Sequence, residues 1–278
     1  MRLKAIGIIG LLTLFIVSCQ KEIDWGTNSA DQLLVKIQST TGSDSTVITY
    51  AYDGSRRLIG ETTVGVSAGV TLDGTFVINR DASGVITSTV QKSALLLSAG
   101  VDSIKTRYYY NSGTQHYTAA AFDISIAGFN VTDSAVYTYD GNSRITSDLH
   151  SIISGIFPPF AALKNQYTYS ANGSNLTKTN QLGTTIPFNP LTDISNQTNT
   201  FDTKTDPLIL KNEAILLGRL GFYNANNVTK NVFVNATDPT QNFTMDYTYK
   251  YNVAGKPDSS YSTRTPGGNL TASKYFYQ

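Results

Sequence analysis

Along most of this chain the aromatic and aliphatic positions recur at every second residue. In ITYAYD, AVYTYD and QYTYS the tyrosines stand one residue apart, at Tyr50 and Tyr52, Tyr137 and Tyr139, and Tyr167 and Tyr169. Tyr108 and Tyr110 repeat the spacing in RYYYN. Successive strand residues point to opposite faces, so both rings of a pair project from one face and the residues between them take the other. A turn signal follows, at Asp53-Gly54, Asp140-Gly141 and Asn172-Gly173. Those pairs read as the source of the positive φ angles that tight hairpins require. Return strands such as RITSDL and NLTKTN then alternate aliphatics with hydroxyl or charged side chains.

The pattern repeats. With Tyr52, Ile78, Tyr110, Tyr139, Tyr169, Phe201, Tyr251 and Tyr277 as markers, most steps are 26 to 32 residues, and the step from Phe201 to Tyr251 is longer. About seven hairpins, or roughly 14 strands, follow from this spacing. A twisted sheet of more than ~10 strands does not stay open and flat. The predicted fold is therefore all-β: a large antiparallel meander of hairpins, strongly curved or closed into a barrel. The face opposite the tyrosines offers Thr, Lys, Arg and Asp, which is unlike the continuous apolar band of a lipid-embedded pore.

Three segments interrupt the alternation. In TDPLILKNEAILLG (205–218), Asp206 reads as an N-cap, Pro207 as the first helical residue and Gly218 as the stop. This predicts one short inserted helix, apolar on most faces, packed as a plug or lid on the tyrosine side. Pro158 and Pro159 in SGIFPPFAAL (154–163) bar a central strand and predict a long apolar loop over a sheet end. Residues 186–206, rich in Asn, Thr, Asp and Pro, read as a further loop.

The N-terminus carries an address. Arg2 and Lys4 precede the apolar run AIGIIGLLTLFIV, which is shorter than the ~20 residues a membrane-spanning helix needs. It reads as the core of a signal peptide, residues 1–18. IVSC, ending at the sole cysteine, Cys19, resembles the lipobox of bacterial lipoproteins. The resemblance implies cleavage before Cys19 and acylation on it, with the tether at 19–30 and a single repeat domain at 31–278. Two or more acyl chains anchor stably where one does not. QKEID, just behind Cys19, resembles the surface-export signal of some Gram-negative lipoproteins. Trp25 in the tether suits either a headgroup-level position or the domain edge.

Charge and composition narrow the function classes. Removing residues 1–18 takes away Arg2 and Lys4 and no acid, so the formal charge of +1 becomes −1. That is not the footprint of a nucleic-acid binder. Two histidines, His116 and His150, read as solvated strand residues, and no G-x-S-x-G elbow is present. Zinc needs clustered His or Cys ligands, and Asp193, Asp202, Asp206 and Asp238 lack calcium-loop spacing and read as turn and cap residues. No catalytic residue, metal site or cofactor is predicted.

Together the lipobox, the Y-x-Y-[DN] hairpins, TFDTKTDPL (200–208) and NNVTK (226–230) resemble a broad group of uncharacterised bacterial outer-membrane and surface lipoproteins. These carry tyrosine-aspartate repeats on a porin-like, curved antiparallel sheet. The resemblance implies a lipid-anchored outer-membrane protein but carries no activity; the favoured reading is a non-catalytic surface binding or accessory module. Its partner would be a glycan or another envelope protein, with no nucleic acid. Tyr50, Tyr52, Tyr108, Tyr110, Tyr137, Tyr139, Tyr167 and Tyr169 are the candidate stacking surface, with simple packing as the competing reading. A periplasm-facing structural or lipid-handling half-barrel is the alternative, and a hydrolase with converging acids is a third.

Overall fold

The computed structural model describes residues 32–126, 129–154, 158–184 and 188–278. The predicted signal segment, Cys19 and the predicted tether with Trp25 lie outside the described residues. The first strands are β1 (Leu34–Thr41), β2 (Asp44–Tyr52), β3 (Leu58–Ser67), β4 (Val70–Arg80), β5 (Ile86–Ser93) and β6 (Ile104–Asn111). Next come β7 (His116–Ile126), β8 (Phe129–Tyr139), β9 (Ile145–Ser154), β10 (Phe160–Tyr169) and β11 (Leu176–Gly183). The last are β12 (Thr192–Thr205), β13 (Asn226–Asn235), β14 (Phe243–Tyr251), β15 (Pro257–Thr265) and β16 (Thr271–Tyr277). Each pairs antiparallel with its chain neighbours, and β1 pairs with β16, so the sheet is a closed barrel. Short helices α1 (Ala94–Ser98) and α2 (Asn212–Leu216) lie between β5 and β6 and between β12 and β13.

Sixteen strands exceed the expected fourteen because residues assigned to loops are strands. β12 runs through the Asn- and Thr-rich stretch, and Phe160–Leu163 belong to β10, paired with β9 from Phe160↔Ile152 onward. The predicted apolar loop thus does not extend beyond Pro159, and residues 155–157 of it lie outside the described residues.

Period two assigns the faces as expected. The register sets Tyr50 opposite Glu61, Tyr137 opposite Asp148 and Tyr249 opposite Ser260, all toward the lumen. The intervening positions face outward and are mostly Thr, Ser, Asn, Lys and Asp. Arg107–Asp123 (2.8 Å) and Lys230–Asp246 (3.9 Å) pair on this outer face, with each side chain close to half exposed. A lysine or arginine at the mid-height of a lipid-facing strand costs ~2–4 kcal/mol, so these pairs favour contact with water, and they stand among exposed apolar residues such as Val77, Tyr109 and Val136.

The Y-x-Y-D motif builds one rim. Asp53 accepts from the Ser55 and Arg57 amides (both 2.9 Å) and pairs with the Arg57 side chain at 2.8 Å. Asp140 does the same with Asn142 and Arg144. The positive φ falls two residues beyond the glycine of Asp-Gly, at Arg56 (64°) and Ser143 (61°), while in Asn172-Gly173 it does fall on Gly173 (70°). The loops are therefore longer turns organised by the acid, and Gly54 and Gly141 do not supply the left-handed residue.

Just inside this rim each return strand carries a bulge residue: Val35, Ile59, Thr87, Thr118, Thr146, Thr177, Thr229 and Asp258. A bulge disrupts the ladder locally, and the side chains repair it. Thr87, Thr118, Thr146 and Thr177 donate across their hairpins to strand carbonyls at 3.0–3.3 Å. The tyrosine of the next repeat donates to the carbonyl preceding the bulge: Tyr52 to Leu34 (2.6 Å), Tyr139 to Tyr117 (2.8 Å), Tyr169 to Ile145 and Tyr277 to Pro257 (2.7 Å).

The segment between β12 and β13 folds into this end of the lumen as a plug. Its base is closed by Asp206 N–H donating to the Ala225 carbonyl (3.0 Å) and by Asp202, which accepts from the Asn227 amides and the Tyr251 hydroxyl. The two blocks TFDTKTDPL and NNVTK thus meet as a clamp at the plug's neck. Leu208, Leu210, Ala214, Ile215, Leu216 and Leu217 are buried among the tyrosines. The plug position matches expectation, but the helix does not. It spans five residues behind Lys211 (φ 51°), and Asp206 caps only a turn, accepting from Leu208 N–H at 3.1 Å. Gly218 (φ 65°) ends it as predicted.

Candidate functional site in the lumen

The plug is held to the wall by polar contacts on every side. Arg80 of β4 grips Glu213 of α2 through two bonds of 2.8 and 2.7 Å. Asn212 donates to the Ser143 carbonyl (2.7 Å) and accepts from Ile145 N–H (3.2 Å). Asn224 accepts from Leu176 N–H (2.8 Å), and the Lys211 ammonium reaches the Ser174 carbonyl at 3.2 Å. The plugged rim is a floor, and the open part of the lumen lies toward the opposite rim.

All eight candidate tyrosines stand around this floor. Tyr50 and Tyr167 are buried, and Tyr50 meets Phe222 of the plug edge-on at 5.9 Å. The Tyr108 hydroxyl donates to the Leu216 carbonyl (3.0 Å), and Tyr169 packs on Tyr223 at 4.9 Å. Tyr52, Tyr108, Tyr137, Tyr139 and Tyr169 all pack against the buried core. Burial raises the phenols of Tyr50, Tyr137, Tyr167 and Tyr169 far above the usual tyrosine range. Tyr110, beside Tyr117 at 5.1 Å, is the one of the eight more than a third exposed. Tyr50, Tyr108 and Tyr169 thus touch the plug directly, in a collar of tyrosines around it.

Above the collar, β8, β9, β10 and β11 carry a connected polar network. His150 Nδ1 lies 2.9 Å from Asp133 and its Nε2 lies 3.2 Å from Asp148. Asp148 also accepts from Asn165 (2.8 Å) and from the Tyr167 hydroxyl (2.6 Å), and Gln181 donates to Asn165 at 3.1 Å. Burial alone would lower the His150 pKa, but the two carboxylates outweigh it and lift the imidazole to about 10. The expectation of a solvated histidine is corrected here: His150 is an imidazolium clamped between two acids. His116 stacks on Tyr139 at 4.0 Å.

Two hollows open from the lumen. The smaller, about 220 Å³, lies between β3, β4 and β5 beside Arg219, whose guanidinium pairs with Glu61 and covers the Phe76 ring at 4.7 Å. The larger, about 440 Å³, has Leu220, Gly221 and Asn224 of the plug as its base. Its wall comes from β11 to β15, with Thr179, Gln197, Asn199, Asn231, Tyr247 and Arg264. The sequence reading missed these residues. Their one signal was the long polar run of β12, which lacks apolar alternation because both of its faces are wet. Of the four loop acids, Asp238 caps a short turn as expected, accepting from Thr240 N–H at 3.0 Å, while Asp193 and Asp202 lie within β12.

No family model matches the chain, and no curated protein matches it. Among solved structures, a porin-like protein from Bacteroides uniformis superposes with a TM-score of 0.54 at 14% identity, over 88% of this chain and 98% of that one. A porin-like protein from Bacteroides vulgatus gives 0.56 at 10% identity, over 89% and 99%. The likeness is one of fold.

Proposed function

We propose that this chain is a lipid-anchored, non-catalytic binding module of the cell envelope, attached to the outer membrane through Cys19 and displayed at the cell surface. Its lumen receives a ligand, either a glycan or a segment of another envelope protein. The observation that carries this reading is the combination of a water-facing exterior with a lumen floored by the plug, a cup rather than a channel. Gln32, where the described chain begins, sits at the plugged rim and its carbonyl accepts from Lys256 at 2.6 Å. The polar wall favours a hydrated ligand over an acyl chain, which supports binding of this kind over lipid handling. Catalysis has little support, since a general base works with a pKa near the operating pH and His150 is held at about 10.

The test has two arms on whole cells. Metabolic labelling with an alkyne fatty acid should mark the wild type and not Cys19→Ser, and added protease should degrade the barrel on intact cells. Binding is read by screening the soluble Gln32–Gln278 barrel against glycans and envelope extracts. Labelling that persists in Cys19→Ser, or protection from protease until cells are broken, sinks the address. Absence of any ligand competing at the lumen sinks the binding role.

A further inference from the structure

The larger hollow differs from the rest of the lumen in how its polar groups are engaged. Glu61, Arg80, Asp133, Asp148, His150, Glu213 and Arg219 are all paired within the protein. Arg264, at the edge of the hollow, has among the described residues no hydrogen bond or ion pair from its side chain. It lies over the Phe243 ring at 4.4 Å, and Phe243 in turn stacks on Phe233 at 5.0 Å. This tier fixes the guanidinium by its face and leaves its N–H edge open, the arrangement in which Arg can take a carboxylate with two parallel bonds. Gln197, Thr179 and the Tyr247 hydroxyl likewise have no hydrogen-bond partner among the described residues and border the same space.

We propose, resting on the binding reading above, that this hollow is a subsite for an acidic saccharide, a polyhydroxyl ring bearing a carboxylate. Arg264 takes the carboxylate, and Gln197, Thr179 and Tyr247 exchange hydrogen bonds with the ring hydroxyls. Amides and hydroxyls both donate and accept, which suits an array of OH groups. Met245 and Leu220 offer apolar contact to the ring's C–H face. The volume, about 440 Å³, falls in the ~300–1,000 Å³ range of small-molecule sites. Arg264 is the one charged side chain lining the hollow, which matches one carboxylate and is too little for a nucleotide's phosphates.

Isothermal titration with an oligogalacturonate and with its methyl ester tests this, since the ester keeps the rings and removes the charge. The acid form is expected to bind at least tenfold more tightly than the ester. Arg264→Gln should remove that preference, and Gln197→Ala should weaken both forms. A circular dichroism melt checks that each variant is folded. Equal affinity for acid and ester, or Arg264→Gln leaving the preference intact, overturns the subsite while the cup reading stands. No binding of either probe, together with a lumen-competed ligand of another class from the screen above, overturns the acidic-saccharide assignment alone. No lumen ligand of any class overturns both.

Discussion

Removing the Glu213 carboxylate should loosen the plug. In Glu213→Leu the Arg80 guanidinium, 6% exposed in its side chain, loses two charge-assisted bonds of 2.7 and 2.8 Å. It keeps only carbonyl contacts, to Leu58 (3.1 Å) and Gly84 (2.9 Å). Burial opposes the Arg80 charge, and Glu213 more than offsets it, holding the pKa above the usual arginine value. Breaking one half of a buried pair costs ~3–5 kcal/mol, whereas replacing both halves by apolar groups is often neutral. Urea unfolding followed by far-UV circular dichroism should therefore show an unfolding free energy lower by ~3–5 kcal/mol for Glu213→Leu and for Arg80→Met. The double variant should lie within ~1 kcal/mol of wild type. Trypsin cutting at Lys211 and Arg219 should accelerate in the singles. Single variants costing under ~1 kcal/mol, or a double variant no better than the singles, refute the reasoning that this pair fastens the plug.

The His150 clamp gives a pH signature. The folded pKa of about 10 lies above the unfolded value, so the stabilisation is complete below pH ~6.5 and disappears as pH rises through 10, on the order of 3–5 kcal/mol in all. His150→Gln should flatten the alkaline limb of a stability-versus-pH curve, and an unchanged limb contradicts the assignment. Tyr52→Phe, Tyr139→Phe and Tyr277→Phe should each cost ~0.5–1.5 kcal/mol by stranding a carbonyl, and melts indistinguishable from wild type argue against the latch. Gly65 has φ 143° and an added Cβ would stand 2.1 Å from the Ser45 carbonyl oxygen, while Gly69 (φ 77°) has nothing within 4 Å. Gly65→Ala should thus be the more damaging, by ~2 kcal/mol or more, and equal melting temperatures for the two variants count against the close β2–β3 approach.

What the sequence conveyed depended on whether one face of a segment was dry. Tyr137 and Tyr139 pack against the buried core and the residues between them face outward, so alternation reveals both strand and face. In β12, Ser195, Gln197 and Asn199 face a wet lumen while Asn196, Thr198 and Thr200 face solvent, so no hydrophobic period exists and the strand reads as loop. The plug was legible as buried from its leucines, but Asp206 and Pro207 mimic a helix start. The backbone instead turns at Lys211 because Asn212 and Glu213 are drawn to Ser143 and Arg80, partners far away in the chain. His150 is the same case: its two carboxylates come from its own strand and the preceding one, and only register places them on either side of the ring. The larger hollow was invisible for that reason too, since Thr179, Gln197, Tyr247 and Arg264 come from four strands.

The pairing of β1 with β16 has a consequence for how the molecule is made. Leu33 and Gln278 exchange both backbone hydrogen bonds, 2.9 and 3.0 Å, so the two ends of the barrel chain form the final rung of the ladder. Until Tyr277 has been synthesised, two raw sheet edges remain, and unpaired edges recruit other chains. A chain truncated by even one strand should therefore be a source of insoluble material rather than a slightly smaller barrel. Conversely, new ends opened in a loop of the opposite rim, with Leu33 and Gln278 joined by a short linker, should yield a permuted protein that still seals itself.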